Sequence, residues 1–145
     1  MANLNATKTV AQLMLESAHQ DLAACALLST GAGIKDAVVG FHAQQAIEKS
    51  LKAVLSFQAV EFRRTHDLAT LLDLLQDHGW VPPDADWLDE LNPYAVEARY
   101  GMIELEFLDR THALDVVARV IAWAEIQITP GSRPETHHTS PRHDT

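Results

Sequence analysis

The residues with the clearest chemical potential lie in one segment, FHAQQAIEKSLKAVLSF, from Phe41 to Phe57. Advancing each residue by 100° around a helix places four apolar residues on one side: Ala43, Ile47, Leu51 and Val54. The opposite side carries a polar stripe: Gln45, Glu48, Lys49, Lys52 and Ser56. This stripe is either a solvated face or the wall of a site for a polar ligand. In the first case the Glu48–Lys52 pair contributes only roughly 0.2–0.5 kcal/mol as an exposed i,i+4 pair.

Two other places in the chain could bind a phosphate or a base. His66 lies at a predicted helix start, where the positive end of the dipole disfavours protonation and leaves an imidazole that can donate or accept a hydrogen bond. Its alternative role is a local helix cap. Arg99 stands beside Tyr100 in NPYAVEARYG, and a planar cation next to an aromatic ring suits phosphate binding and base stacking. The alternative for Arg99 is an intramolecular ion pair with Glu48 or Glu97.

The sequence gives little support for a metal site or a nucleophile. Its eight histidines include no pair three or four residues apart, and there is no HExxH or Cys-His zinc spacing. The acidic run Asp84, Asp86, Asp89 and Glu90 opens a predicted helix, where the dipole favours negative charge. The single cysteine, Cys25, is predicted to be a buried core residue. We therefore expect no catalytic residue, no metal and no cofactor.

The composition indicates one domain without general affinity for nucleic acid. The chain has 145 residues and a formal net charge of -9, and phosphate binding depends on dense Lys and Arg. Residues 35–66 hold five basic and three acidic side chains, whereas residues 67–128 hold three basic and thirteen acidic ones. Only the first segment could form a cationic surface. The start of the chain lacks a secretory signal and no stretch has the pattern of a membrane span, so we expect a cytoplasmic protein.

The apolar periodicity predicts an all-α fold, an up-and-down bundle of about five helices. The predicted helices cover residues 9–29, 35–57, a third segment that starts at Thr65 or Asp67, 86–100 and 109–128. The inward stripe of the first is Met14, Ala18, Leu22 and Cys25, and that of the third is Leu68, Leu71, Leu72 and Leu75. In the fourth helix Leu88, Leu91, Ala95 and Ala98 face inward, and Pro93 marks either its true start or a kink.

The last helix has a wider apolar surface than one contact needs. One row is Leu114, Val117, Ile121 and Ala124, and the neighbouring row is Val116, Val120 and Trp123. The helix is therefore either central or also joins a partner subunit, and we expect a homodimer. The chain then ends in a segment rich in Pro, Ser, Thr and His. We assign residues 1–128 to the bundle and residues 129–145 to a disordered tail that contains His137, His138 and His143.

Three segments in order, FHAQQAIEKSLKAVL, RRTHDL and YAVEARYG, resemble the HEPN domain family over about residues 13–123. The resemblance implies a helical bundle, commonly a homodimer, that binds a nucleotide or RNA. Members are frequently paired with a small nucleotidyltransferase in a two-component or toxin-antitoxin system. It also implies that the polar stripe lines a groove near the end of the fourth helix. The implied binding residues are Gln45, Glu48, Lys49, Lys52, His66, Arg99 and Tyr100.

One feature departs from the ribonucleases of this family, which carry an arginine followed by four to six residues and a histidine. Arg99 has no histidine at that distance, and Arg133 with His138 fits only within the predicted tail. The chain instead resembles the branch with Ala-Arg-Tyr-Pro, with Gly101 in place of the proline. The sequence therefore argues against ribonuclease activity.

Two interpretations remain ahead of an enzyme. The first is a dimeric protein that binds a nucleotide or an RNA end in the groove beside a nucleotidyltransferase. The second is a protein-interaction module whose polar groove is structural, with a buried Arg99 offset by Glu48. In the second case the broad last helix makes the protein contacts.

Overall fold

The computed structural model describes residues 4–95 and 108–130. Across these two ranges the chain forms helices and no strand. The α-helices are α1 (Leu4–Ser29), α2 (Asp36–Phe57), α3 (Leu68–Asp77), α4 (Ala85–Leu88) and α5 (Arg110–Gln127), and a 3-10 helix, η1 (Asp89–Tyr94), follows α4 directly. The predicted all-α bundle is confirmed. None of the described helices is both long enough and apolar enough to cross a membrane.

Helix α2 is the centre of the bundle, and it packs against α1, α3, α5 and η1. Its predicted apolar row, Ala43, Ile47, Leu51 and Val54, is fully buried. Burial extends well beyond that row, to Val39, Ala46, Ala53 and Leu55 and to the polar Gln44, Glu48 and Ser50. The prediction that places Glu48 opposite the buried side is therefore wrong, because a helix surrounded by four others has little solvent-facing surface.

Helices α1 and α5 cover α2 and also contact each other. Helix α1 begins at Leu4, earlier than predicted, and its buried row is Ala11, Leu15, Ala18 and Cys25. Met14 and Leu22, predicted to face inward, are only partly buried at the edge of the core. In α5 both predicted apolar rows lie against the core, with Leu114 and Trp123 partly buried. The apolar surface of α5 is therefore wide because this helix packs against both α1 and α2.

Helix α3 begins as predicted, after Asp67. The Asp67 carboxylate accepts a hydrogen bond from the backbone N–H of Ala69 at 3.0 Å, which satisfies one free donor of the first turn. Asn92 of η1 then joins the two elements. Its Nδ2 donates to Asp67 Oδ1 at 2.9 Å, and its Oδ1 accepts from the backbone N–H of Leu68 at 2.8 Å.

The fourth predicted helix differs from the prediction where it is described. Within the described residues, regular α-helix covers Ala85–Leu88, and the chain continues as the 3-10 helix η1 with Pro93 inside it. Proline lacks an N–H and its ring clashes with the preceding turn of an α-helix, so the tighter 3-10 geometry accommodates it better. Leu88 and Leu91 are buried as predicted. The remainder of the predicted helix, from residue 96 onward, and residues 131–145 of the predicted tail lie outside the described ranges.

A polar clasp joins the start of α5 to the connection between α1 and α2. The Arg110 guanidinium donates to Asp36 Oδ1 at 2.7 Å and to the carbonyl oxygens of Ser29 at 3.0 Å and Ile34 at 2.6 Å. Asp36 Oδ2 accepts the backbone N–H of Leu108 at 3.1 Å. The clasp therefore fixes the adjacent ends of three helices.

Candidate functional site

The centre of the candidate site is the Glu48 carboxylate, which α2 holds almost fully buried, at 4 % exposure. Glu48 Oε1 lies 2.8 Å from His66 Nδ1, and Oε2 accepts from Lys52 Nζ at 3.2 Å. A buried carboxylate is stable only when such partners replace its lost water. The Glu48–Lys52 pair is thus part of a buried network, which corrects its description as an exposed surface pair.

Two glutamines extend this network along α2. Gln44 is fully buried, and its Nε2 donates to Glu48 Oε1 at 3.3 Å and to the His66 carbonyl at 3.1 Å. Gln45 Nε2 donates to Gln44 Oε1 at 2.7 Å. The two amides therefore fix both the carboxylate and the segment that carries His66.

His66 is the most accessible member of the network, with 59 % of its side chain exposed. Its Nδ1 contacts Glu48, which fixes the ring and leaves Nε2 as the nitrogen for a ligand. The alternative role of His66 as a helix cap is wrong, because Asp67 caps α3. The imidazole instead joins the connection after α2 to the middle of that helix.

A second polar cluster lies between α2 and α1. Asp21 of α1 accepts from Lys49 Nζ at 2.6 Å through Oδ2, and its Oδ1 lies 3.0 Å from His42 Nδ1. The Asp21 side chain is 13 % exposed. Lys49, predicted to share one groove with Glu48, therefore has its own carboxylate partner on the other edge of the polar stripe.

The structure thus places five of the seven predicted site residues along one polar face of α2 and the connection that follows it. Gln45, Glu48, Lys52 and His66 form one network, and Lys49 joins the second cluster. Arg99 and Tyr100, with the proposed ion pairs of Arg99, lie outside the described residues.

Three members of these clusters were not predicted as site residues, although the sequence position of each could have indicated a role. Asp21 falls between Ala18 and Cys25 on the inward stripe of α1, and a carboxylate at such a position needs a partner. Gln44 falls beside Leu51 on the helical wheel of α2, within the apolar side. His42 neighbours Lys49 on the same wheel, two turns earlier.

The electrostatics of this face are nearly balanced, because Lys49 and Lys52 each pair with a carboxylate. Additional positive charge comes from the connection between α2 and α3. Phe62 contacts the network, because its ring centre lies 6.0 Å from Lys52 Nζ, and His66 belongs to it. Arg63 and Arg64 lie between these two residues in the chain. Both arginines are exposed, and neither forms an ion pair within the described residues.

Cys25, the single cysteine of the chain, is fully buried, as predicted, and burial raises the pKa of its thiol to about 11. No group of three or more His, Cys, Asp or Glu side chains is arranged to hold a metal ion within residues 4–95 and 108–130. The observed contacts of the candidate site are hydrogen bonds and ion pairs.

Comparison with known proteins adds one finding. The model of a family described as HEPN domain matches residues 11–127, which includes α2, the connection with His66 and all of α5. Searches among curated proteins and among solved structures give no match.

Proposed function

This chain belongs to the HEPN domain family, and we propose that it binds a nucleotide or an RNA end on the polar face of α2. In this proposal it acts as a homodimer beside a small nucleotidyltransferase, in a two-component or toxin-antitoxin-like system. The partner and the dimer follow from how members of the family commonly occur.

The observation that carries the proposal is the network around Glu48. A solvated helix face needs no buried carboxylate, yet this one is fixed by Gln44, Lys52 and His66. This arrangement orients the half-exposed imidazole of His66 and the amide of Gln45 at the surface. These groups can hydrogen-bond a ribose, a base edge or a phosphate oxygen.

Phosphate binding needs more positive charge than the balanced network offers. Arg63 and Arg64 supply it in our proposal, because both are exposed beside the network and a guanidinium can bind phosphate through two parallel hydrogen bonds. Arg99 and Tyr100 are the further proposed contacts, for a phosphate and a base respectively.

The ion pairs of Lys49 and Lys52 also favour a second function. Since Lys49 and Lys52 already have carboxylate partners, the polar face is also suited to a structural role in a protein-interaction module. In that case the network positions α1, α2 and the following connection, and no small ligand is involved.

Thermal melting separates the two functions. The full chain is melted with AMP, ATP, GTP and a short RNA with and without a 5′-phosphate. A ligand at about 100 times its dissociation constant stabilises the fold by about 2.7 kcal/mol, which raises Tm by roughly 9 °C in a domain of this size. The double variant Arg63→Ala/Arg64→Ala and the single variant Arg99→Ala should each lose most of that shift.

The matched control is Lys8→Ala/Lys35→Ala, which removes the same number of charges away from the polar face of α2. It should retain the ligand-induced shift. No shift with any member of the panel would contradict nucleotide binding and favour the interaction module. A shift that survives both arginine variants would place the ligand elsewhere.

A further inference from the structure

A cleft beside α3 has no part in the proposed nucleotide site. It has a volume of about 280 Å³, close to the lower end of the range for small-molecule pockets. Its walls come from α3, the connection after it, α4 and η1. The lining residues are Ala69, Leu72, Asp73, Gln76, Trp80, Val81, Pro82, Ala85, Asp86 and Asp89.

The cleft combines an apolar surface with a negative rim. Val81 is 63 % exposed, although it is a large aliphatic residue, and it lies beside the buried Trp80 and Pro82. Asp73 and Asp86 are exposed at the rim and form no ion pair within the described residues. An incoming apolar side chain would therefore have carboxylates next to it.

No cation of the neighbouring sequence offsets this charge, because residues 65–98 contain neither Lys nor Arg. Arg119 reaches the region from α5, but its Nε donates at 2.9 Å to Asp84, which does not line the cleft. Within the described residues, no cation forms an ion pair with the rim carboxylates Asp73, Asp86 and Asp89.

Trp80 forms part of the wall of the cleft. Its side chain lines the cleft and is 8 % exposed, so the indole is a large apolar surface against which an incoming side chain can pack. Its Nε1–H is itself buried and has no acceptor in the part of the chain that the structure describes. This N–H therefore reports on the wall of the cleft without contacting the occupant.

We propose that this cleft docks a segment of a partner protein that carries an arginine or lysine beside a large apolar residue. The apolar side chain would enter between Leu72, Trp80 and Val81, and the cation would contact Asp86 and Asp89. A second copy of this chain is a poorer occupant because its net charge of -9 opposes approach to an acidic surface. Nucleic acid is repelled for the same reason.

The test uses the 15N-labelled full chain and the peptide acetyl-Leu-Arg-Leu-Arg-amide, followed by NMR. We expect saturable shifts of the Trp80 indole N–H and of the Asp73, Asp86 and Asp89 amides. The peptide with citrulline in place of arginine, which has nearly the same shape without charge, should bind at least tenfold more weakly. Asp86→Asn/Asp89→Asn should weaken binding of the arginine peptide to a similar degree.

The control variant Asp77→Asn/Glu90→Gln changes two nearby acidic residues that do not line the cleft, and it should bind the arginine peptide normally. Equal loss in this control would mean general charge attraction and would overturn the proposal. Equal binding of the citrulline peptide, or no saturable shift at millimolar peptide, would overturn it as well. Indole shifts that depend on protein concentration alone would identify a second copy as the occupant, against the proposal.

Discussion

Gly40 of α2 and Tyr94 of η1 are in such close contact that a Cβ atom on Gly40 would lie within 3.0 Å of three carbons of the tyrosine ring. Tyr94 is 5 % exposed, and its ring packs against α2 at the one position of that helix without a side chain. Glycine inside a helix costs roughly 1 kcal/mol relative to alanine. Its presence here serves the packing of η1 against the central helix.

Gly40→Ala should therefore destabilise the protein despite the better helix propensity of alanine. Displacement of the Tyr94 ring is expected to cost about 1–3 kcal/mol, as in other overpacked cores, against a gain of about 1 kcal/mol. Urea unfolding followed by circular dichroism measures the net change. In a Tyr94→Leu background the same substitution should be neutral or stabilising, and a loss as large as in the wild type would contradict the ring as its cause.

Glu48→Gln should lower stability although the substitution conserves size. It leaves Lys52, whose side chain is only 15 % exposed, without its ionised partner and weakens the contact with His66. We expect a loss of about 1–3 kcal/mol in the free energy of unfolding. Glu16→Gln, on the exposed side of α1, should change stability by less than about 0.5 kcal/mol. Equal effects of the two variants would mean that the Glu48 network does not stabilise the fold.

Asp36 makes the stability of the α1–α2–α5 clasp dependent on pH. Partial burial acts to raise the pKa of Asp36, but the hydrogen bonds from the Leu108 N–H and from Arg110, with the Arg110 charge, outweigh it and lower the pKa below 3.8. A carboxyl group with a lowered folded-state pKa stabilises the fold fully above its unfolded pKa. That stabilisation is lost as the pH falls through the folded-state value.

Asp36→Asn should accordingly destabilise the protein at pH 7, by about 1–2 kcal/mol for the weakened charged hydrogen bonds. The difference from the wild type should persist down to about pH 4 and shrink as the pH falls further towards the folded-state pKa, because the carboxyl is protonated progressively over that range. Paired thermal melts from pH 7 to pH 3 provide the measurement. A difference that stays constant over this range would show that the Asp36 charge does not contribute.

Cys25 should be inert toward thiol reagents in the native protein. The thiolate is the reactive form, and burial raises the pKa of this thiol to about 11. With Ellman's reagent at pH 8 we expect no reaction on the minute timescale in buffer and one thiol per chain in 6 M guanidinium. Rapid reaction without denaturant would mean that α1 opens locally.

The sequence predicts the fold well where local patterns decide it. The apolar row of α2 and the Asp67 cap of α3 follow from helical spacing and from capping chemistry, both of which act within a few residues. The chain that follows α4 is less predictable, since Pro93 permits a helix start, a kink or, as found, a 3-10 helix.

Five of the predicted site residues lie on the polar face of α2 and the following connection, but their arrangement and three further members of the clusters were not predicted. A helical wheel treats α2 as a surface helix with one buried side, whereas four elements surround it and bury Glu48 and Gln44. The separate partner of Lys49 depends on how α1 packs against α2, which spacing alone does not fix. The position of Arg110 does predict a partner elsewhere in the fold. A cation at a helix start opposes the helix dipole, so its charge is expected to be paired with a group from another element.

The Arg110 clasp also has a consequence for the order of folding. Its partners Leu28, Ser29, Ile34 and Asp36 lie 74 to 82 positions earlier in the chain. Closing so long a loop costs conformational entropy that contacts within a helix or between consecutive helices avoid. We therefore expect the clasp to close after the helices have formed and docked, and to affect the rate of unfolding more than the rate of folding.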